Sequence, residues 1–428
     1  MNKYIKKIYI IYYFFRTKVL RFASRKDLKR WQKKKFLWFK NNILINSPYY
    51  SEYLNKPFEQ WPIINKKIHM TNFNSINTQS IDRDKALSIA IQSENDRNFI
   101  PKYNDFSIGL SSGTSGSRGL FVASEQEQAE WAGTILAKML PGGIYRQRIA
   151  FFLRANNNLY ETVGSYLIKF CFYDLLNPIK NHLINLQDYQ PTILVAPAQV
   201  LKELAKYQGA GLNISPKKII SVAEVLTDED REYIEGVFKL HIEQIYQCTE
   251  GFLAHTCKHG KLHLNEDIVI IEKEWLDKES GRFIPIITDF RRETQPVIRY
   301  RLDDILIKDK KPCDCGSPCT VLSSIEGRCD DALKMEDKKN NSVLIYPDFV
   351  RNAIISSCSE IDEYEVKQIS KQMINIFISP FNEKVCENIK NALNKLFEKF
   401  NVKVPLFEFK PYVSTSSLNK KRRVQGVK

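Results

Sequence analysis

Between Ile108 and Phe121 the sequence reads IGLSSGTSGSRGLF, a run of glycine, serine and threonine enclosed by apolar residues. Glycine lets the backbone approach a ligand closely, and consecutive backbone N–H groups together with hydroxyls can donate to phosphate oxygens. The run therefore predicts a phosphate-binding turn, with an ordinary flexible loop as the alternative. No Lys-Ser or Lys-Thr pair closes the run, so it is not a Walker sequence.

Four further motifs follow the turn along the chain. They read YQCTEG from Tyr246, IRYRLDD from Ile298, IEGRCDD from Ile325 and NKKRRV from Asn419. In this order, the turn and these motifs resemble the adenylate-forming (acyl-CoA synthetase) superfamily. Within it they look most like the phenylacetate–CoA ligase branch and the adenylating proteins of polysaccharide-biosynthesis clusters. The resemblance extends from about Leu110 to the last residue.

The resemblance implies an enzyme that joins ATP and a small-molecule carboxylic acid into an acyl-adenylate, with release of pyrophosphate. Attack of a carboxylate on the α-phosphate needs positioning and charge neutralisation more than acid–base chemistry. The acyl group then passes to a thiol, for which coenzyme A is the usual acceptor in the family. Two alternatives stay open. One is transfer to an amine in polysaccharide or cell-envelope modification, and the other is a nucleotide-binding module that has lost catalysis.

Positions that match the family's motifs take the family's roles. The resemblance places Tyr246 and Glu224 at the adenine, and a solvent-facing strand end is the alternative for Glu224. It places Thr249 at the α-phosphate and Asp304 at the ribose hydroxyls, while Asp303 fits a surface loop. Glu250 would bind Mg²⁺, which prefers hard oxygen ligands; a surface carboxylate is the alternative. Arg328 would also reach the nucleotide. The residues assigned to the β- and γ-phosphates are Ser111, Ser112, Gly113, Thr114, Ser115 and Gly116, with Arg118 as a candidate cation.

A lysine near the end of the sequence matches the family's catalytic lysine, which bridges the carboxylate and the α-phosphate. Lys420 aligns best with that role, and Lys421 is the rival because Asn419 replaces the family's glycine. A solvated basic tail is the alternative for this segment. The resemblance also makes Asp330 a hinge about which a small second domain swings between adenylation and acyl transfer.

Five of the nine cysteines fall in the third quarter of the chain, which is more typical of metal ligation than of a disulfide framework. Relatives of the phenylacetate type often carry a Cys and a His in one segment and Cys-x-Cys in a later one. The matching set is Cys257, His263, Cys313 and Cys315, a Cys₃His combination suited to structural zinc. Cys319 and His259 are spare candidates, and free thiols in a reducing compartment are the alternative.

Residues 1–40 form a basic segment in which lysine and arginine alternate with apolar and aromatic residues and Asp27 is the only acid. This pattern predicts an amphipathic helical segment on an anionic membrane surface or on its own domain. A nucleic-acid partner is disfavoured because the basic and aromatic mixture is confined to this segment. The apolar run Ile8–Phe15 is too short to span a bilayer. We expect a cytoplasmic protein, peripheral to the inner face of a membrane at most.

The elements that must position these residues are predicted from hydrophobic periodicity. From Ile149 onward short apolar runs alternate with amphipathic stretches, as in TILVAPA followed by QVLKELAKYQ. This alternation indicates βαβ units on a mostly parallel sheet. We predict an α/β protein with a large domain over residues 1–327 and a small α+β domain over residues 328–428.

Overall fold

A computed structural model describes residues 3–96, 98, 102–110, 119–140, 146–153, 168–302, 304–326, 332–345, 347–358, 360–413 and 423–427. Within these ranges the helices are α1 (Lys3–Val19), α2 (Arg25–Asn42), α3 (Pro48–Ser51), α4 (Lys66–Thr71), α5 (Phe73–Ile76), α6 (Arg83–Asn95), α7 (Glu125–Met139), α8 (Leu183–Tyr189), α9 (Ala198–Gly209), α10 (Asp228–Phe238), α11 (Pro347–Ser357) and α12 (Glu383–Lys399). Short 3₁₀ turns occupy Leu44–Asn46, Phe58–Gln60 and Ile179–His182.

The strands of the described residues are β1 (Lys102–Tyr103), β2 (Phe106–Leu110), β3 (Leu120–Ala123), β4 (Gln147–Leu153), β5 (Ile168–Asp174), β6 (Ile193–Ala196), β7 (Lys218–Ser221), β8 (Ile242–Cys248), β9 (Gly251–Thr256), β10 (Leu262–Leu264), β11 (Ile270–Asp277), β12 (Arg282–Asp289), β13 (Val297–Arg301), β14 (Ile305–Lys308), β15 (Val321–Glu326), β16 (Leu333–Glu336), β17 (Ser342–Ile345), β18 (Glu363–Ser370), β19 (Met373–Ser379), β20 (Leu406–Pro411) and β21 (Val424–Gln425).

The largest sheet has the order β11-β12-β14-β15-β10-β9-β8-β7-β6-β4-β5, with β13 paired to β12. Strands β4 to β8 pair in parallel, as the alternating pattern predicts. The other neighbours in this sheet are antiparallel, beginning at the β8–β9 hairpin. The predicted α/β class is confirmed, but this sheet is mixed and not mostly parallel, because the parallel part comprises five of its twelve strands.

The two faces of the parallel part of the sheet, strands β4 to β8, are packed differently. On one face Ala150, Phe152 and Leu194 are fully buried in a cluster that also holds residues of α9 and α10. On the other face Phe151 and Val195 keep 8% and 7% of their surface exposed. Close-packed interiors leave few voids larger than a water molecule. The residual exposure therefore reflects a cavity between this face and α7, described below.

Helix α7 is fixed at both ends. Ser124 and Glu127 form a capping box at its start, and Glu127 Oε1 also accepts from Thr294 N at 3.0 Å. At its end Lys218 Nζ donates to the carbonyl oxygen of Met139 at 2.6 Å. A cation at this position also complements the helix dipole. These contacts tie α7 to the β12–β13 loop and to β7.

Helix α1 lies against α7, and a glycine makes the close contact possible. A Cβ placed on Gly133 would lie 2.5 Å from Ile10 O and 2.7 Å from Tyr13 Cβ. Ile10 and Phe14 of α1 share an apolar cluster with Ala132 and Leu136 of α7. No helix of the described residues is both long enough and apolar enough to cross a membrane.

Helix α2 is anchored by polar contacts instead. Arg25 forms an ion pair with the buried Glu266, and Trp31 Nε1 donates to the carbonyl oxygen of Asp267 at 2.9 Å. The predicted helical segment over residues 1–40 is thus two helices. Apolar packing attaches α1 to the domain, and polar contacts attach α2 to it.

The last hundred residues form separate sheets. β18 and β19 make a hairpin, β20 is parallel to β19, and β21 is parallel to β18. This part contacts the region of α9 through Ala332 N, which donates to Gln199 Oε1 at 3.2 Å. Residues 327–331 are outside the described ranges, so the domain boundary and the Asp330 hinge stay predictions.

Candidate active site

The cavity next to α7 has a volume of about 750 Å³ and reaches the end of β8. Five residues predicted from the motifs line it: Glu224, Tyr246, Thr249, Glu250 and Asp304. The fold therefore brings together residues that lie up to 80 positions apart in the sequence. A concave pocket with a few converging polar groups is the usual form of a small-molecule site.

Tyr246 and Asp304 are bonded to each other. Tyr246 belongs to β8 and donates from Oη to Asp304 Oδ2 at 2.7 Å, and Asp304 directly precedes β14. Both residues are buried, at 8% and 9% exposure. The hydroxyl holds the carboxylate in one orientation at the edge of the cavity.

Thr249 and Glu250 form the two-residue turn between β8 and β9, since Cys248 pairs with Gly251. Arg292 Nη1 donates to the carbonyl oxygen of Thr249 at 3.1 Å. Tyr300 Oη donates to Glu250 Oε1 at 2.9 Å. Each turn residue is thus held by a side chain from the β12–β13 region.

Gly251 leaves room for the close approach of a buried acid. A Cβ at this position would lie 3.2 Å from Asp289 Oδ2. Asp289 is 1% exposed and pairs with Arg291, whose Nη2 lies 3.2 Å from Oδ2. The glycine in YQCTEG therefore has a packing reason, because a side chain there would press on this ion pair.

Glu224 lines the cavity and also caps a helix. Its Oε2 accepts from Gln199 N at 3.1 Å, in the first turn of α9, where backbone N–H groups have no partner within the helix. The preceding residue, Ala223, has a φ of 65°, a left-handed value that costs a non-glycine residue about 1–3 kcal/mol. Such strain is concentrated at functional sites.

Sequence reasoning missed several residues around the turn. Trp131, Ile135 and Met139 of α7 form one wall of the cavity, and none of them belongs to a motif. Tyr300 lies inside the IRYRLDD motif, in which only the two aspartates were assigned positions. Arg292 lies in DFRRETQ, whose paired arginines were the available signal.

Burial shifts the pKa of two neighbouring groups. Burial lowers the pKa of His69, which packs edge-on against Tyr300, to about 4. The imidazole is therefore neutral at neutral pH. Burial also raises the pKa of the Cys248 thiol well above its usual range. A thiolate is the reactive form of cysteine, so Cys248 is not poised as a nucleophile.

A second group lies away from the cavity. The donor atoms of Cys257, His263, Cys313 and Cys315 all lie within 4.8 Å of one another. Cys257 Sγ lies 3.7 Å from Cys313 Sγ, and Cys315 Sγ lies 3.5 Å from His263 Nε2. Tetrahedral zinc with bonds of about 2.0–2.3 Å places two sulfurs about 3.8 Å apart and a sulfur and a nitrogen about 3.6 Å apart.

This group fits the predicted Cys₃His set, and the spare candidates are outside it. His259 contributes its backbone N–H, which donates to Cys257 Sγ at 3.4 Å, whereas Cys319 is not part of the group. The four side chains connect the β9–β10 hairpin to the loop between β14 and β15.

Several predicted site residues lie outside the described ranges. They are Ser111, Ser112, Gly113, Thr114, Ser115, Gly116, Arg118, Asp303, Arg328, Asp330, Lys420 and Lys421. Their assignments stay predictions.

Comparison with solved structures gives the class of fold. The chain matches 2-hydroxyisobutyryl-CoA ligase in complex with 2-HIB-AMP and CoA, with a TM-score of 0.53 and 16% identity over 93% of this chain and 88% of that one. An open conformation of that ligase matches with a TM-score of 0.51 and 15% identity over 93% and 90%. The fold is that of the adenylate-forming ligases, which confirms the resemblance predicted from the motifs.

Two particular relatives are similar in sequence. Protein CapK of Staphylococcus aureus is 25% identical over 382 residues, which are 83% of this chain and 80% of that protein. Phenylacetate-coenzyme A ligase of Thermus thermophilus is 22% identical over 201 residues, 42% of this chain and 43% of that protein. No protein-family model matches the chain.

Proposed function

We propose that this protein is an enzyme that activates a carboxylic acid with ATP, forming an acyl-adenylate and pyrophosphate. The observation that carries the proposal is the convergence of Tyr246, Thr249, Glu250 and Asp304 on one cavity. The match to acyl-CoA ligases in fold and to phenylacetate-coenzyme A ligase in sequence supports it. In this reaction a carboxylate oxygen bonds to the α-phosphorus while the bond to the pyrophosphate oxygen breaks.

The residues predicted from the motifs have the following roles in this proposal. Asp304, oriented by Tyr246, accepts hydrogen bonds from the ribose hydroxyls, and Tyr246 and Glu224 flank the adenine. Thr249 donates to the α-phosphate. Glu250, held by Tyr300, would bind Mg²⁺, which would supply charge neutralisation at the phosphates. Ser111 to Gly116 bind the outer phosphates, Arg328 reaches the nucleotide, and Lys420 bridges the carboxylate and the α-phosphate.

The cavity walls also suggest the acid. Trp131, Ile135, Phe151, Val195 and Ile220 form an apolar surface between α7 and the sheet. The hydrocarbon part of an acid would lose its hydration there, at about 25 cal/mol per Å² of apolar area. Glu130 lines the same wall and lies 3.7 Å from Arg16 Nη1, so an ammonium group on the acid would share this carboxylate with the arginine. We therefore favour an apolar acid and include amino acids as the main rival.

The acceptor in the second step is proposed to be coenzyme A. The alternative acceptor is an amine, which would produce an amide in polysaccharide or cell-envelope modification. We also propose that the protein acts in the cytoplasm, and that the small domain moves about Asp330 between the two steps.

We further propose that Cys257, His263, Cys313 and Cys315 bind a structural zinc ion. The spacings of their donor atoms support this, as does the backbone N–H that donates to Cys257 Sγ. Zinc would cross-link the β9–β10 hairpin to the loop between β14 and β15. No step of the reaction uses it.

The test is pyrophosphate release from ATP with Mg²⁺ across aromatic, aliphatic, hydroxy and amino acids, with and without coenzyme A or candidate amines. Acid-dependent release in the wild type that falls at least about a hundredfold in Lys420→Ala would support the proposal. The same fall in Lys421→Ala and not in Lys420→Ala would assign the role to Lys421. Lys395→Ala, at an exposed position on α12, is the matched control. Binding of ATP without pyrophosphate release for any acid would favour a nucleotide-binding module that has lost catalysis.

A further inference from the structure

Helix α1 leaves a broad apolar face uncovered. Ile8, Ile11, Phe15 and Val19 recur at intervals of three or four residues and so lie on one side of the helix. Their exposed fractions are 66%, 56%, 53% and 75%. Tyr12 on the same side is 57% exposed. Single exposed apolar side chains are common, but a contiguous group of this kind marks an interaction site.

The opposite side of α1 is already occupied. Tyr13, at 6% exposure, and the partly buried Ile10 and Phe14 face α7 at Gly133. Lys6 Nζ on this side donates to Gln128 Oε1 at 3.0 Å. The helix is therefore apolar on two opposite faces, and contact with its own domain accounts for only one of them.

Positive charge borders the uncovered face. Helix α1 contains no acidic residue, and Lys7 and Arg21 are exposed beside the apolar side chains. Interfaces between protein chains contain less lysine than the rest of the protein surface, and charged residues are scarce at their core. A helix with apolar and aromatic residues flanked by lysine and arginine is instead suited to the boundary between acyl chains and anionic headgroups.

We propose that α1 is an interfacial helix that attaches the protein to an anionic bilayer surface through Ile8, Ile11, Tyr12, Phe15 and Val19. The helix lies parallel to the bilayer, with its apolar face among the upper acyl segments and Lys7 and Arg21 among phosphate headgroups. Its other face stays on α7. This attachment does not depend on the chemistry proposed for the cavity.

The test is flotation of the full-length protein with vesicles of phosphatidylcholine, with and without phosphatidylglycerol. The wild type is expected to float with the anionic vesicles and much less with the neutral ones. Ile8→Glu combined with Phe15→Glu should reduce vesicle binding at least about tenfold, because both the apolar contact and the charge match are lost. Ile184→Glu combined with Leu406→Glu changes the charge equally at side chains that are 80% and 76% exposed elsewhere, and should bind as the wild type does.

Thermal unfolding midpoints of both double variants establish that they are folded. The proposal is overturned if the wild type does not float, or if the α1 variant floats as the wild type does. It is also overturned if light scattering shows a dimer that the α1 variant dissociates while neither protein binds vesicles, since the face would then contact a second copy.

Discussion

At the scale of single residues, Tyr300 is the side chain that decides how Glu250 is presented. Its hydroxyl donates to Glu250 Oε1 at 2.9 Å, and Glu250 lines the cavity. The ring in turn packs against the neutral His69. A metal ligand oriented in this way loses less freedom when the ion binds.

We therefore predict that Tyr300→Phe raises the Mg²⁺ concentration needed for half-maximal pyrophosphate release by roughly tenfold. At saturating Mg²⁺ the rate should approach that of the wild type, because Glu250 itself is retained. Tyr233→Phe, an exposed tyrosine on α10, is the matched control and should leave the Mg²⁺ dependence unchanged. An equal loss of rate at every Mg²⁺ concentration would contradict a role in orienting Glu250.

At the scale of elements, the contact between α1 and α7 depends on one missing side chain. Gly133→Ala would place a methyl group within 2.9 Å of three atoms of α1, two of them backbone atoms. We expect a loss of about 1–3 kcal/mol in the free energy of unfolding, or release of α1 from α7. Chemical denaturation and limited proteolysis at α1 would measure the two effects.

Gly236→Ala provides the control for helix propensity. Nothing lies within 4 Å of a Cβ at this position of α10, so alanine should stabilise the protein by up to about 1 kcal/mol. If both variants stabilise the protein equally, the α1–α7 contact is looser than the structure shows.

The loops joined by the Cys₃His group give a second prediction at this scale. The purified protein should contain one zinc ion per chain, and removal with a chelator should lower the thermal midpoint by several degrees, since metal binding contributes to folding. Cys313→Ser should lose the metal, whereas Cys319→Ser should keep it because Cys319 is outside the group. Zinc retained in Cys313→Ser would exclude this ligand set.

At the scale of the whole molecule, the buried His69 and the partly buried His255 predict how stability depends on pH. Burial lowers the pKa of His69 to about 4 and that of His255 to about 3, against about 6.5 in an unfolded chain. The unfolded chain binds more protons between these values. The stability that depends on neutral histidine is therefore complete above about pH 6.5 and decreases as the pH falls toward 4.

Each histidine contributes a slope of at most about 1.4 kcal/mol per pH unit in this window. His69→Gln should show a shallower decrease in the free energy of unfolding between about pH 6.5 and 4 than the wild type. His259→Gln, an exposed histidine, should match the wild type. Urea denaturation across this range would measure the slopes, and identical slopes for the two variants would contradict the prediction.

The sequence allowed prediction of what depends on local pattern. Strands β6 and β7 and the helices after them follow from periodicity, and Thr227, a residue type favoured at helix N-caps, caps α10 by accepting from Asp230 N. The side chain of Asp230 forms an ion pair with Lys202 of α9 at 2.6 Å. That partner is 28 residues away, and no local pattern indicates such a contact.

The candidate site was predictable where the type of a motif residue indicates what it can bind, as for the carboxylates of Glu250 and Asp304. The wall from α7 was not predictable, because Trp131 and Ile135 have the spacing of ordinary core residues. The distinction between core and cavity depends on what lies opposite them, namely a sheet face that is not fully packed.

The position of Gly133 has a consequence for substrate selection. Helix α7 has α1 against one side and the cavity along another, so α1 limits how far the wall can retreat when a bulky acid enters. If the cavity holds the proposed acid, the maximum size of that acid is determined partly from outside the pocket, by residues of α1 that do not line it. A larger residue at position 133 would then change which acids fit, without altering the residues proposed to bind the nucleotide.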